Sequence, residues 1–312
     1  MNWFLFALST TLAWGVADLF YKKGADESDK YSHLKTTMLV GFVMGLYATY
    51  MVTIGGVEFD PINLLIYLPV SAMYILSMAI GYFGLRYLDL SISSPIQNAS
   101  GVVAALMCFI FLGETIDLPT GIAILIICVG VFMLGLFEKR DQDAITNPED
   151  KKYSIGFIAF MMPIFYCIID SLGTFLDGYY LDDASTTPLK NITPDNYEDV
   201  ANVAYMYTFL IVAVAIFVYL VAFKKEKIEL PKQKDRALAA TFETLGQITY
   251  VYAISGEAIV VAPMISSYCI VSLLLGRILL KEKLTWKQYV MVGLVIVGIL
   301  MLGVIDGING DL

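Results

Sequence analysis

The stretch 89–135, DLSISSPIQNASGVVAALMCFIFLGETIDLPTGIAILIICVGVFMLG, returns without a gap at 257–303 as EAIVVAPMISSYCIVSLLLGRILLKEKLTWKQYVMVGLVIVGILMLG. At this offset of 168, Pro95 meets Pro263, Glu114 meets Glu282, Gly130 meets Gly298, and Met133-Leu134-Gly135 meets Met301-Leu302-Gly303. Val103, Leu106, Ile110, Leu112 and Val129 complete 11 identities in 47 positions, and upstream Tyr82 falls on Tyr250. Apolar helices match by chance, but chance does not usually align Pro, Glu and Gly in one register. At a shift of 152, Trp14-Gly15-Val16-Ala17-Asp18 falls on Tyr166-Cys167-Ile168-Ile169-Asp170. The chain is an internal duplication.

Composition says what is duplicated. Of 312 residues 58% are apolar and 16% charged, with a mean hydropathy of +0.72, against roughly 45–50% apolar and about 25% charged in soluble domains. The apolar residues fall in blocks of about 20, the length that crosses a hydrocarbon core about 30 Å thick. Ten spans are expected, at about 2–22, 34–55, 62–85, 91–112, 117–137, 154–180, 200–223, 236–255, 258–280 and 286–305. The first carries Asp18 and lacks a basic leader and a cleavage site, so it reads as a retained helix rather than a signal peptide. Repeats over 1–137 and 154–306, joined by 138–153, then hold five spans each. An odd number inverts the second repeat relative to the first, and the fold class is an all-α membrane protein of two inverted five-helix repeats.

Several function classes drop out. A net charge of −9 without free basic clusters argues against nucleic acid. Cys108, Cys128, Cys167 and Cys269 all lie in apolar blocks and read as packing residues. One histidine, His33, builds no His-rich metal site, and HExxH, CxxC, GxSxG and Walker patterns are missing. Neither an enzyme nor a cofactor is expected.

The paired prolines of spans 4 and 9, the Gly113-Glu114 and Lys281-Glu282-Lys283 ends of those spans, and the glycine-rich spans 5 and 10 ending in Leu-Gly resemble the EamA branch of the drug/metabolite transporter superfamily. The resemblance covers nearly the whole chain. It implies a carrier of small organic solutes working by alternating access, with helices 1, 3, 4, 6, 8 and 9 around the cavity.

Charge sets the expected orientation. Nineteen of the 20 Lys and Arg flank the loops between spans 1–2, 3–4, 5–6, 7–8 and 9–10, where 13 acids leave +6. The side of the termini has Lys190 against 12 acids, a balance of −11. By the positive-inside rule the basic loops face the cytoplasm of a multi-pass cell-membrane protein, and both termini face outward.

Four acids remain within spans: Asp18, Asp170, Asp177 and Glu243. A carboxylate at mid-bilayer costs about 2.5 kcal/mol or more on insertion scales, so it faces a cavity or a partner. No Lys or Arg stands mid-span to neutralise these four, which suits a proton-coupled site. Asp18 and Asp170 are repeat mates, and Asp177 follows Asp170 by two turns on one face. Asp18 also precedes Lys22 by four residues, leaving an interfacial ion pair open, and Asp177 also fits a headgroup position beside Tyr179 and Tyr180. Trp14, Tyr82, Asn98, Tyr166, Gln247, Tyr250 and Ser266 complete the candidate substrate and proton site, with Tyr74, Ser77, Gln97, Ser100, Ser267 and Tyr268 also polar or aromatic within spans. Amides and aromatic faces suit a polar or cationic metabolite. The tyrosines equally fit interfacial belts, and the hydroxyls and amides fit bonds between helices.

Gly41 and Gly45 form a GxxxG pair that serves either internal packing or a dimer face, so the chain is expected as a monomer or homodimer. Asn191-Ile192-Thr193 matches a glycosylation sequon by pattern alone, and the charged stretch 224–236 reads as a solvated loop. The expected function is secondary active transport of a small metabolite. The alternative is a membrane-embedded receptor or enzyme that binds a solute without moving it.

Overall fold

The computed structural model describes residues 3–24, 29–84, 97, 99–113, 115–145, 157–255, 258–279 and 285–310, and helices are the regular structure of all of them. In chain order they are α1 (Trp3–Gly24), α2 (Ser32–Thr53), α3 (Ile62–Ile66), α4 (Leu68–Gly84), α5 (Ser100–Met107), α6 (Leu118–Ile145), α7 (Phe157–Leu181), α8 (Tyr197–Val218), α9 (Lys234–Ile254), α10 (Ala258–Ile265), α11 (Tyr268–Leu279) and α12 (Trp286–Gly310). Wider π-turns extend α5 through Leu112 and α8 through Phe223. Among the described residues five helical stretches are long and apolar enough to cross a membrane: Trp3–Tyr21, Ser32–Thr53, Tyr197–Phe223, Ala258–Leu279 and Trp286–Ile305.

Two blocks expected as continuous helices are broken, each beside a proline. Tyr67 separates α3 from α4, because Pro69 has no N–H for the Leu65 carbonyl; Pro69 then fits the first turn of α4, where that N–H would have no partner anyway. Ser266 and Ser267 separate α10 from α11, three residues after Pro263. There Ser267 Oγ donates to the Met264 carbonyl at 2.6 Å, re-satisfying freed backbone. Gly113 ends the α5 segment with φ +70°, a left-handed turn that glycine adopts without strain. Pro95, Glu114 and Glu282 lie outside the described residues.

The helices pack as pairs, each joining one half of the chain to the other. α1 lies along α9, α2 along α8, α4 along α7, α6 along α12, and α5 crosses α10. Small residues allow the approach, since apolar burial alone does not hold helices together in lipid. Gly41 seats α2 against α8 with Ala213 Cβ 2.6 Å from where a Cβ would stand, and Gly45 does so 2.7 Å from Leu210 Cβ. That spends the GxxxG pair inside one chain. Gly101 takes the same part where α5 meets Ala262 and Ser266. α10 is buried along its whole length, at the centre of the bundle.

The bundle is tied at both ends. At one, Lys35 Nζ pairs with Asp29 (2.9 Å) and Glu226 (3.2 Å), while Arg236 reaches Asp29 (3.4 Å), Ser32 Oγ (2.9 Å), the Gly24 carbonyl (2.9 Å) and Gln233 Oε1 (2.7 Å). Lys35 and Arg236 are 6% and 4% exposed. The end of the 224–236 stretch is therefore buried structure rather than solvated loop, because its charges find partners on the α1–α2 connection. At the other end, Asn63 is fully buried and exchanges two hydrogen bonds with the Lys190 backbone (2.9 and 3.0 Å), and Asn191 Nδ2 donates to Asp60 (2.8 Å). The sequon nitrogen is thus engaged, on a residue at φ +56°, a conformation asparagine tolerates.

Candidate functional site

α1, α4, α7, α9 and α11 bring the four span acids into one region. Glu243 lies on α9 with Gln247 and Tyr250 four and seven residues on, which puts all three on one face. Tyr21 donates to Glu243 Oε2 at 3.3 Å, and the Trp14 indole N–H reaches the Glu243 carbonyl at 3.3 Å. Glu243 is near enough to Asp170 and Asp18 for their charges to act on it. Asp18 accepts from Ser272 on α11. The side chain of Lys22, its interfacial alternative, lies outside the described residues. Asp170 accepts from Ser77 on α4 at 3.3 Å, with Ser100 and Tyr166 beside it.

Trp14 is the wall between these acids. Its ring centroid stands 5.2 Å from that of Tyr250 and 6.4 Å from that of Tyr268, the latter nearly perpendicular at 83°. Gly246 makes room for it, since a Cβ there would overlap the indole, and at the neighbouring position Gly15 admits Val271 of α11 in the same way. α1 thereby lies directly on both α9 and α11.

Asp177 is fully buried and accepts from Tyr67 at the α3–α4 break. Its carboxyl faces the protein interior. The Tyr74 hydroxyl stands 2.6 Å from that of Tyr250 and 3.0 Å from Thr174 Oγ1, so a hydroxyl network runs from the Asp177 end of α7 to the Trp14 wall. Three buried polar atoms have no hydrogen-bond partner among the described residues: Asp177 Oδ2, Gln247 Nε2 and Asn202 Oδ1.

Other candidates fall elsewhere. Ser266 donates to the Ala262 carbonyl at 3.0 Å and lines a cavity of about 290 Å³ with Cys128, Phe132 and Pro263. None of the four acids borders that apolar space. Tyr166 packs on Gly81 of α4. Tyr82 is on α4 with its side chain outside the described residues, and Asn98 lies outside them entirely. Sequence reasoning missed Tyr21, Tyr67 and Ser272. Helical spacing points to two of them, since Tyr21 follows Asp18 by three residues and Tyr67 precedes Tyr74 by seven.

No group of three or more His, Cys, Asp or Glu able to hold a metal ion occurs among the described residues. The side chains gathered there are carboxyls able to accept a proton or a cation, aromatic faces, and amide and hydroxyl donors.

The model of the EamA-like transporter family matches residues 1–136 and 184–304. A crystal structure of a protein 10% identical in sequence superposes with a TM-score of 0.68, covering 97% of this chain and 97% of that one, a likeness of fold alone. No curated protein matches the chain.

Proposed function

The chain belongs to the EamA-like transporter family, whose members are membrane transporters of the drug/metabolite type, and from that premise we propose a secondary active transporter that moves a small polar or cationic metabolite by alternating access, coupled to protons. The observation that carries this reading is the interior array of Asp18, Asp170, Asp177 and Glu243, drawn from both halves and lined by hydroxyl and aromatic side chains. Buried carboxyls without a mid-span base serve either a proton or a cation, and a carrier of this kind needs both.

The fold proposed is ten spans in two inverted repeats over 1–137 and 154–306. The packing supports it. Exchanging spans 1–5 with spans 6–10 turns the α1–α9 pair into the α7–α4 pair and returns α2–α8, α5–α10 and α6–α12 to themselves. The same exchange maps the contact of Gly130 with Val295 onto that of Gly298 with Ile127. Alternating access draws support from the ties at the two ends, since the α1–α2 and α8–α9 connections are the repeat counterparts of those carrying Lys190 and Asn63. Releasing one tie while keeping the other opens one side at a time. The charge balance directs the basic loops to the cytoplasm and the termini outward.

Purified protein in liposomes tests this. Saturable metabolite uptake that rises with an imposed pH gradient, and that disappears in the Asp170→Asn, Glu243→Gln double variant, is the expected result. Binding without flux would favour a receptor or enzyme, and full gradient-driven flux in the double variant would end the proton-coupled reading.

A further inference from the structure

The outer face of α6 carries Leu118, Ile122, Leu125, Val129 and Phe132, alternately four and three residues apart and so on one stripe. All five are exposed, from Ile122 at 44% to Leu118 at 77%. In a chain that crosses the membrane, such a stripe is covered by lipid hydrocarbon. At Val129 and Phe132 the stripe borders the cavity of about 290 Å³, whose lining continues inward through Cys128, Val102 of α5, and Pro263 and Ser266 at the α10–α11 break. Cys128 lies eleven residues into the 117–137 block, about 16 Å by helical rise, which is mid-depth in a hydrocarbon core about 30 Å thick.

The lining decides what can fill this space. Ser266 alone among the lining side chains carries a hydroxyl, and that hydroxyl donates to the Ala262 carbonyl at 3.0 Å. Cys128 behaves as a small hydrophobe. A buried water needs about two to four polar partners, so water has no place here. Left empty, the cavity would deprive its walls of dispersion contacts. An apolar cavity of about 150 Å³ already holds a benzene, and this one has about twice that volume. The hydrocarbon that covers Val129 and Phe132 is the apolar material at its border.

We propose that the cavity is a binding site for the end of a lipid acyl chain, which enters from the bilayer beside Val129 and Phe132 and packs against Cys128, Val102 and Pro263. The site rests on the membrane setting of the chain and not on the transport reading, since none of the four span acids borders it. Its place beside Ser266 sets a bilayer component directly against the break between α10 and α11.

Two phosphatidylcholines test this, one with a diazirine at the end of an acyl chain and one with the diazirine next to the headgroup ester. Full-length protein in liposomes of each is irradiated, and the adducts are mapped by peptide mass spectrometry. The chain-end lipid is expected to label Cys128 and Val102 as well as Leu125 of the outer stripe, and the ester-proximal lipid to leave Cys128 and Val102 unlabelled. In Cys128→Phe, whose ring takes the space, labelling of Val102 is lost while that of Leu125 persists, which reports an inserted helix. Val102→Phe does the same to labelling of Cys128 from the α5 side. Chain-end labelling confined to the outer stripe in the unaltered protein, cavity labelling that survives in both variants, or equal cavity labelling by the ester-proximal lipid would each overturn the proposal.

Discussion

The hydroxyls of Tyr74 and Tyr250 lie 2.6 Å apart, and through them α4 and α9 close a network that holds Asp177 at one end and the Trp14 wall at the other. Tyr250 serves both, since its ring packs on Trp14 while its hydroxyl faces Tyr74 and Thr174.

Replacing that hydroxyl tests its part. Tyr250→Phe keeps the ring on Trp14 and removes one buried hydrogen bond, a stability loss of about 1 kcal/mol. Flux should fall about tenfold or more, beyond what that loss explains. Thermal unfolding in detergent and liposome uptake, measured on one preparation, check the two values.

Asp177 is predicted to carry coupling rather than substrate. It is fully buried beside Tyr67, about 10 Å along α7 from Asp170 by helical rise. Asp177→Asn keeps the shape and a polar partner for Tyr67 while removing the titrating group. Exchange of substrate across liposomes at equal pH should persist, and accumulation driven by a pH gradient should be lost.

The α6–α12 seam predicts a matched pair of defects. A Cβ at Gly130 meets Val295, and one at Gly298 lies 2.8 Å from Ile127 Cγ1. Gly130→Val and Gly298→Val should each cost about 1–3 kcal/mol by overpacking. Gly293, which has nothing within 4 Å of an added Cβ, supplies the control, because Gly293→Ala should leave the unfolding temperature within a degree or raise it.

The buried ion cluster should act as a clamp on the basic side. Arg236→Ala leaves Asp29 with Lys35 as its described cation and opens three further hydrogen bonds, a loss of about 3 kcal/mol for a broken buried pair. Trypsin cleavage within 224–232 should quicken severalfold, while the far end, tied through neutral Asn63, should be unaffected.

Orientation has a direct test. A cysteine placed at Asn309 should react with an impermeant thiol reagent on intact cells, because the acidic side of the chain is expected outside; absence of labelling would reverse the assignment.

The sequence by itself determined the helical class, the membrane setting and the family. These follow from the length of the apolar blocks and from Pro, Glu and Gly recurring in one register, and both are properties of the chain read along its length. It also marked Asp18, Asp170, Asp177 and Glu243, since a carboxyl among apolar residues is conspicuous wherever it folds. Only tertiary structure decided what each of them meets. Tyr67 and Ser272 are ordinary residues until a helix break and a crossing helix turn their hydroxyls onto Asp177 and Asp18. Ser266 resembles a site residue until the break after Pro263 spends its hydroxyl on the backbone. Lys35 and Arg236 count as loop charges until two connections from opposite halves bury them together. Periodicity sets which face of a helix a residue occupies; contacts between residues 50 to 250 positions apart depend on how those faces are paired, and that pairing is set by glycines such as Gly15, Gly41 and Gly246, whose effect lies in the neighbour they admit.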